Sequence, residues 1–305
     1  MGEAFEDLIF HGLRRLPRAG EELRTPHFTR TTGGGTLITA VAAARMGARV
    51  DVVSALSDES ARRLRAEGVR VRNLRRRGEP HAVSVALSTR GERAFVTFDG
   101  VNEQLEPRLL AWFARGRPRT AHVHVALGPR DMAGWARVTE RLRARGITTS
   151  WDFGWHEDLP GRPGFETLLA APDWVFVNER EARLYTGTTT MAKALRRWGA
   201  MARNVVVKQG ARGALALAGG AIVRVPAPRV RVVDTTGAGD AFNGGFLAAL
   251  VRGQGVAACL RTGVRVGSLS TRAAGGLDAL PRARSLRAPG AGGPSAHGAG
   301  RQSES

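Results

Sequence analysis

Apolar and polar positions along the chain follow two periods, one suited to strands and one to helices. Residues 33–47 open with glycines and continue as a run of small residues (TLITAVAAARMG), which predicts a closely packed helix; a β-branched run over 49–53 follows. Residues 58–67 read as a short basic helix with Asp58 as its expected N-cap. Residues 82–99 break this rhythm. There VSVALS and RAFVTF alternate on either side of residues 89–92 (TRGE), the pattern of a hairpin. Strands are then predicted at 121–127, 148–152, 174–177 and 205–208, separated by helices near 105–115, 131–145, 163–170, 179–186 and 190–201. A second hairpin, ALALAGGAIVRV, comes next.

Strands spaced by helices in this way imply an α/β fold with a mostly parallel central sheet covered on both faces. The early hairpin and residues 8–32 fall outside the rhythm and predict a small separate β-layer. From residue 285 the chain (SLRAPGAGGPSAHGAGRQSES) has no apolar period, so 285–305 is expected to be a disordered tail behind one folded unit over 1–284.

The length of 305 residues suits one large α/β domain or two modest ones. A single cysteine, Cys259, excludes an internal disulfide and a cysteine-rich zinc site. No apolar run approaches the roughly 18–20 residues of a membrane span, and the first residues (MGEAFEDLIF) lack the pattern of a secretion signal. A cytoplasmic location away from membranes is the expectation. The formal net charge of +19 points toward anionic ligands. Nearly all of it is arginine, Lys193 and Lys208 being the only lysines, and it is scattered among acids. No aromatic residues interleave the clusters at 62–65 and 75–77, so a solvated basic surface is expected rather than a specific nucleic-acid groove.

The stretch VVDTTGAGDAFNGGFLAAL, residues 232–250, carries the chemistry. An apolar run ends at Asp234, and Gly237, Ala238 and Gly239 form a tight turn at the start of a small-residue helix. Unpaired N–H groups and the positive end of the helix dipole suit a phosphate or a developing negative charge there. Asp240 at the same helix start either caps the helix or takes a proton from a hydroxyl attacking a bound phosphate. Small residues through Gly244 and Gly245 allow a close approach to the helix, which favours a site.

The segment DTTGAGDAFNGGFL resembles the C-terminal signature of the ribokinase family, the phosphofructokinase-B carbohydrate kinases. The resemblance implies a ribokinase-like three-layer sandwich with a β lid from about 8–32 and 81–99. It implies ATP-dependent phosphorylation of a hydroxymethyl group on a sugar or sugar-like molecule, with ATP, Mg2+ and in many members K+. By the same resemblance Asp240 is the catalytic base, and the Gly237, Ala238 and Gly239 amides form the anion hole. Asp234 and Thr236 flank a monovalent-cation site. Asn178 and Glu181 resemble the family's N-x-x-E motif, in which Glu181 organises magnesium indirectly; an Asn-capped helix start explains the same residues. Lys208 and Gly210, within VVKQGARG, match the strand and turn that contact nucleotide.

Near the N-terminus, Asp7 and the pair Gly33 and Gly34 resemble the substrate-binding positions. Two positions depart from the pattern: Ile38 stands where an asparagine usually bonds the substrate, and Ser57 replaces a later glycine. The family's first apolar strand is missing before Gly2, and the expectation is a start upstream of Met1. A nucleoside kinase of the same fold, or a catalytically weak sugar- or nucleotide-binding protein, remains an alternative. Lid-to-lid homodimers occur in the family.

Other residues carry less. His122 and His124 share one strand face and read as ordinary histidines, and Cys259 reads as a core residue. Asp152, Trp155 and His156 follow a strand end where ligands collect in such sheets, and Trp151 and Trp155 read as packing residues rather than a sugar platform.

Overall fold

The computed structural model describes residues 1–89, 93–116, 118–273 and 275–286. The chain opens with β1 (Phe5–Leu13), which pairs antiparallel with β2 (Phe28–Gly33). Helix α1 (Gly35–Arg45), β3 (Asp51–Ser54), α2 (Asp58–Ala66) and β4 (Arg70–Asn73) follow. The hairpin β5 (Val83–Thr89) and β6 (Arg93–Phe98) adds to β1, giving a small sheet of order β2-β1-β5-β6. This is the separate β-layer that the alternating runs predict. Residues 14–27 of the expected lid contain no strand, while the hairpin turn at 90–92 and residues 287–305 of the expected tail lie outside the described residues.

The remaining elements alternate. They are α3 (Leu105–Arg115), β7 (His122–Ala126), α4 (Met132–Arg143), β8 (Thr148–Asp152), α5 (Phe165–Ala170) and β9 (Trp174–Asn178). Then come α6 (Glu179–Thr186), α7 (Met191–Met201), β10 (Asn204–Lys208), β11 (Ala214–Ala218), β12 (Ala221–Val225), α8 (Ala238–Leu250) and α9 (Val256–Ser270). Strands β7 to β10 are parallel and β11 and β12 are antiparallel, in the order β12-β11-β10-β9-β8-β7. The predicted mostly parallel sheet between two helical layers is the observed architecture.

Alternation along the strands builds two cores. Val123, Val125, Trp151, Val175, Val177, Val205 and Val207 pack with Leu109, Trp135 and Trp198 from α3, α4 and α7. On the other face Trp174, Phe176 and Val206 meet Phe242, Phe246 and Leu260 of α8 and α9, with Cys259 buried as expected. The same face of β7 and β8 is polar. His122 bonds Thr148 and Ser150 at 2.8 and 2.7 Å, and His124 bonds Ser150 at 2.7 Å. Burial pushes His122 down to about 4, so its ring is neutral.

Small residues let α8 sit tight against its neighbours. A Cβ on Gly244 would lie 2.5 Å from the Ala42 methyl and the Thr39 carbonyl of α1, and one on Gly245 would lie 2.9 Å from Val266 of α9. The cap of α2 differs from expectation. Ser57 is the N-cap, its Oγ accepting from the Ser60 N–H at 3.0 Å, and Asp58 occupies the first turn. A serine hydroxyl there satisfies an orphan helix donor while Asp58 still favours the dipole. At the edge of β7, residues 1–3 form a parallel stub, with Ala126 N–H bonded to the Met1 carbonyl at 2.9 Å and Glu3 N–H to the Ala126 carbonyl at 3.1 Å.

Candidate active site

The loop into α8 is tied down by Asp234. Its Oδ1 accepts from Thr236 N–H and Oγ1 at 2.8 and 2.7 Å, and its Oδ2 accepts from Gly275 N–H at 3.0 Å. Gly237 then takes a left-handed conformation (φ 71°), and a Cβ there would collide with Ile38 Cδ1. Of the three residues expected to cradle an anion, Ala238 differs. Its N–H is already bonded to the Thr235 carbonyl at 3.2 Å, because the turn closes on itself before the helix begins. The N–H groups of Gly237, Gly239 and Asp240 have no acceptor among the described residues, and they crowd the positive end of α8.

The Asp240 carboxyl stands at this helix end beside α1, where a Cβ on Gly35 would lie 3.0 Å from Oδ1. Burial pushes its pKa up to about 7; the Asp152 and Glu181 carboxylates add to the shift and the Lys208 ammonium opposes it. A carboxyl held there is suited to accept a proton near neutral pH.

Asp7 reaches the same glycine run from the other side. It pairs across the small sheet with Thr31, and its carboxyl lies over Gly33, where any Cβ would strike it. Burial pushes this pKa up to about 7 as well. Gly34 (φ 93°) brings the backbone against Phe5, a Cβ there lying 3.2 Å from the ring. Asp7 on β1 of the small sheet and Asp240 on α8 thus flank Gly33–Gly35 from two sides. Ile38 does not face this space. It is 3% exposed and its Cδ1 fills the hollow between Gly237 and Gly276, so it buttresses the glycine turn.

Asn178 and Glu181 form a complete capping box at the start of α6. Asn178 Oδ1 accepts from Arg180 and Glu181 N–H at 2.8 and 2.9 Å, while Glu181 accepts from Asn178 N–H and Nδ2 at 2.7 and 2.6 Å. The capping explanation is therefore realised in full. Glu181 is also 6% exposed, and burial together with Asp152 raises its pKa. Lys208, at the end of β10, donates to Asp152 Oδ2 at 2.7 Å. Burial works against its charge, yet Asp152, Glu181 and Asp240 together hold the ammonium above its ordinary range. Gly210 lies apart at an open turn (φ 56°), with no atom within 4 Å of a Cβ there.

One contributor is not singled out in the sequence. Asn243 of α8 is fully buried and donates to Asp152 Oδ2 at 2.7 Å; its signal is a lone amide in an otherwise apolar helix. His156 lies against Gly128 beyond the end of β7, where a Cβ would meet the ring. Trp155 is 42% exposed, with the Arg180 guanidinium 4.6 Å over its ring, so it is not the packing residue expected.

The sequence matches the pfkB family carbohydrate kinase profile over residues 1–283. Ribokinase of Bacillus subtilis (strain 168) is 27% identical over 295 residues, covering 92% of this chain and 94% of that protein. ATP-dependent ribose-1-phosphate kinase of Halopiger xanaduensis is 32% identical over 252 residues, 77% of this chain and 78% of that protein. The structure of Arabidopsis thaliana ribokinase complexed with ribose and ATP superposes with a TM-score of 0.74 at 24% identity, covering 93% of this chain and 95% of that one. With its α/β sandwich, β-layer and glycine turn before an aspartate, this chain is a member of the pfkB family of carbohydrate kinases.

Proposed function

We propose that this enzyme transfers the γ-phosphoryl group of ATP to a hydroxymethyl group of a sugar or nucleoside, with Asp240 as base. The observation that carries the reading is the half-buried Asp240 carboxyl at the open N-terminus of α8, with no hydrogen-bond partner among the described residues and with Asp7 on the other side of Gly33–Gly35. In this mechanism Asp7 and the Gly33–Gly34 backbone hold the acceptor by its other hydroxyls. Asp240 takes the proton from the reacting hydroxyl, whose oxygen attacks the γ-phosphorus as the bond to ADP breaks. The Gly237, Gly239 and Asp240 amides receive the negative charge on the transferring group.

Among the described residues no three His, Cys, Asp or Glu side chains group as a metal site. Magnesium would be held mainly by phosphate and water oxygens, with the Glu181 carboxylate at the start of α6 acting through water. When bound, magnesium would neutralise phosphate charge. Asp234 and Thr236 are the residues we assign to K+. Lys208 is assigned to the phosphates, and Asn178 and Gly210 to the nucleotide side.

A screen of ATP consumption against ribose, fructose, phosphorylated sugars and nucleosides, with and without potassium, tests the reading. Turnover with at least one of these acceptors is expected. Ligand binding without turnover on any acceptor would leave a sugar- or nucleotide-binding protein instead.

A further inference from the structure

The ends of three elements meet beneath the glycine turn. Asp152 closes β8 and Lys208 closes β10, with β9 between them; the registers Asp152 to Phe176 and Lys208 to Asn178 put both side chains on the face that α8 covers. Their ion pair, 2.7 Å from Nζ to Oδ2, therefore spans a whole strand. Asn243, descending from α8, closes a triangle by donating to the same Oδ2 at 2.7 Å and standing 3.5 Å from the ammonium through its own Oδ1. The other carboxylate oxygen accepts from Gly154 N–H at 3.1 Å, so Asp152 is fully engaged. The ammonium is not. It abuts Gly239, where a Cβ would lie 3.3 Å from Nζ, directly beneath the open amides of the turn.

A buried ion pair is a poor source of stability, because desolvating two charges cancels most of their attraction. Its placement under an anion cradle gives it another use. Fixed charge close to a phosphoryl group in a dry site stabilises developing negative charge without reorganisation.

We propose that Asp152 is a positioning residue for phosphoryl transfer: with Asn243 it clamps the Lys208 ammonium against the turn at Gly239, beneath the transferring phosphoryl group. The inference rests on the kinase reading above. Asp152 touches neither substrate nor nucleotide in this role; it acts through Lys208.

The test compares Asp152→Asn, Lys208→Met and the double variant with the unmodified enzyme, using an acceptor that the unmodified enzyme phosphorylates. Asp152→Asn is expected to lower kcat on the order of 100-fold, as removal of one preorganised donor does, while the acceptor KM stays within about threefold. Calorimetry supplies a readout besides turnover. Binding of ADP with magnesium should be nearly unchanged, while binding of ADP with aluminium fluoride, a mimic of the transferring group, should weaken by a factor similar to the kcat loss. The double variant should be no worse than Lys208→Met alone, since both act through one ammonium.

A folded Asp152→Asn enzyme with kcat within threefold of normal would overturn the proposal. So would equal weakening of both ADP complexes, or losses that multiply in the double variant. If Asp152→Asn does not fold, the comparison passes to the double variant, which carries no unpaired buried charge. Should the unmodified enzyme phosphorylate no acceptor, the kinase reading fails instead, and the two ADP complexes still judge the clamp.

Discussion

Two carboxyls are held near neutrality by the same cause, removal from water, and each implies a measurement. Asp240 must be ionised to take a proton, so kcat/KM for the acceptor is expected to fall as pH drops through about 7. Asp240→Asn should leave the melting temperature intact and cut kcat by about 100-fold or more; near-normal turnover would remove Asp240 from the chemistry. Asp7 allows a stability test. Its folded pKa of about 7 lies above the ordinary 3.8, so its contribution to the fold is complete below about pH 4 and lost as pH rises through 7. The ligand-free Asp7→Asn variant should thus match the parent at pH 4 and exceed it at pH 8, by on the order of 1–4 kcal/mol. Denaturant titrations at the two pH values measure this. Both aspartates are legible in the sequence because each sits in a short motif with its glycines. Asp152 is legible only as a strand-end residue and Asn243 not at all, because their partnership is made between a sheet and a helix, at a separation of 91 residues.

Among the elements, α8 does the most. Its first turn offers the open amides and Asp240, and its body is pressed against α1 and α9 through glycines. A valine at 244 would drive its methyls into the Thr39 carbonyl and Ala42. Gly244→Val is expected to destabilise the protein by roughly 1–3 kcal/mol and to lower kcat in whatever remains folded, because a displaced α8 moves Asp240 from Gly35. Chemical denaturation and steady-state assays test the two halves separately. The strands and helices of the sandwich can be read from periodicity alone, down to the boundaries of α3 and α6, since each buries one face in a two-sided core. Where expectation missed, the local competition was close. Adjacent Ser57 and Asp58 are both good caps, and the serine won. At 38 the departure from the family pattern stands, and the isoleucine side chain turns inward against Gly237 and Gly276.

For the molecule as a whole, arginine is paired more than the net charge suggests. Arg45 binds Glu67, Arg75 binds Asp58 and Arg108 binds Glu79, at 2.6, 3.1 and 2.5 Å. The arginine cluster around α2 is tied in similar fashion, with Arg62 on Glu59 and Arg63 on Asp278. The small sheet is less self-contained. The register puts Phe10, Phe28, Val85, Leu87 and Val96 on the face opposite Asp7, and Phe28 and Val96 are 53% and 68% exposed. A second copy of the chain covering this face is a proposal that the oligomeric state tests. Light scattering should report a dimer, and Val96→Glu a monomer with its melting temperature little changed; a monomeric parent would dismiss the proposal.

One aspartate stands on a strand of the small sheet and the other on helix α8, with the glycine run of 33–35 between them. In the proposed mechanism an alcohol held by Asp7 through a second hydroxyl is expected to reach Asp240 more readily than water, which has no second hydroxyl to offer. Slow ATP hydrolysis in the absence of acceptor is the expected outcome, and a phosphate-release assay measures it.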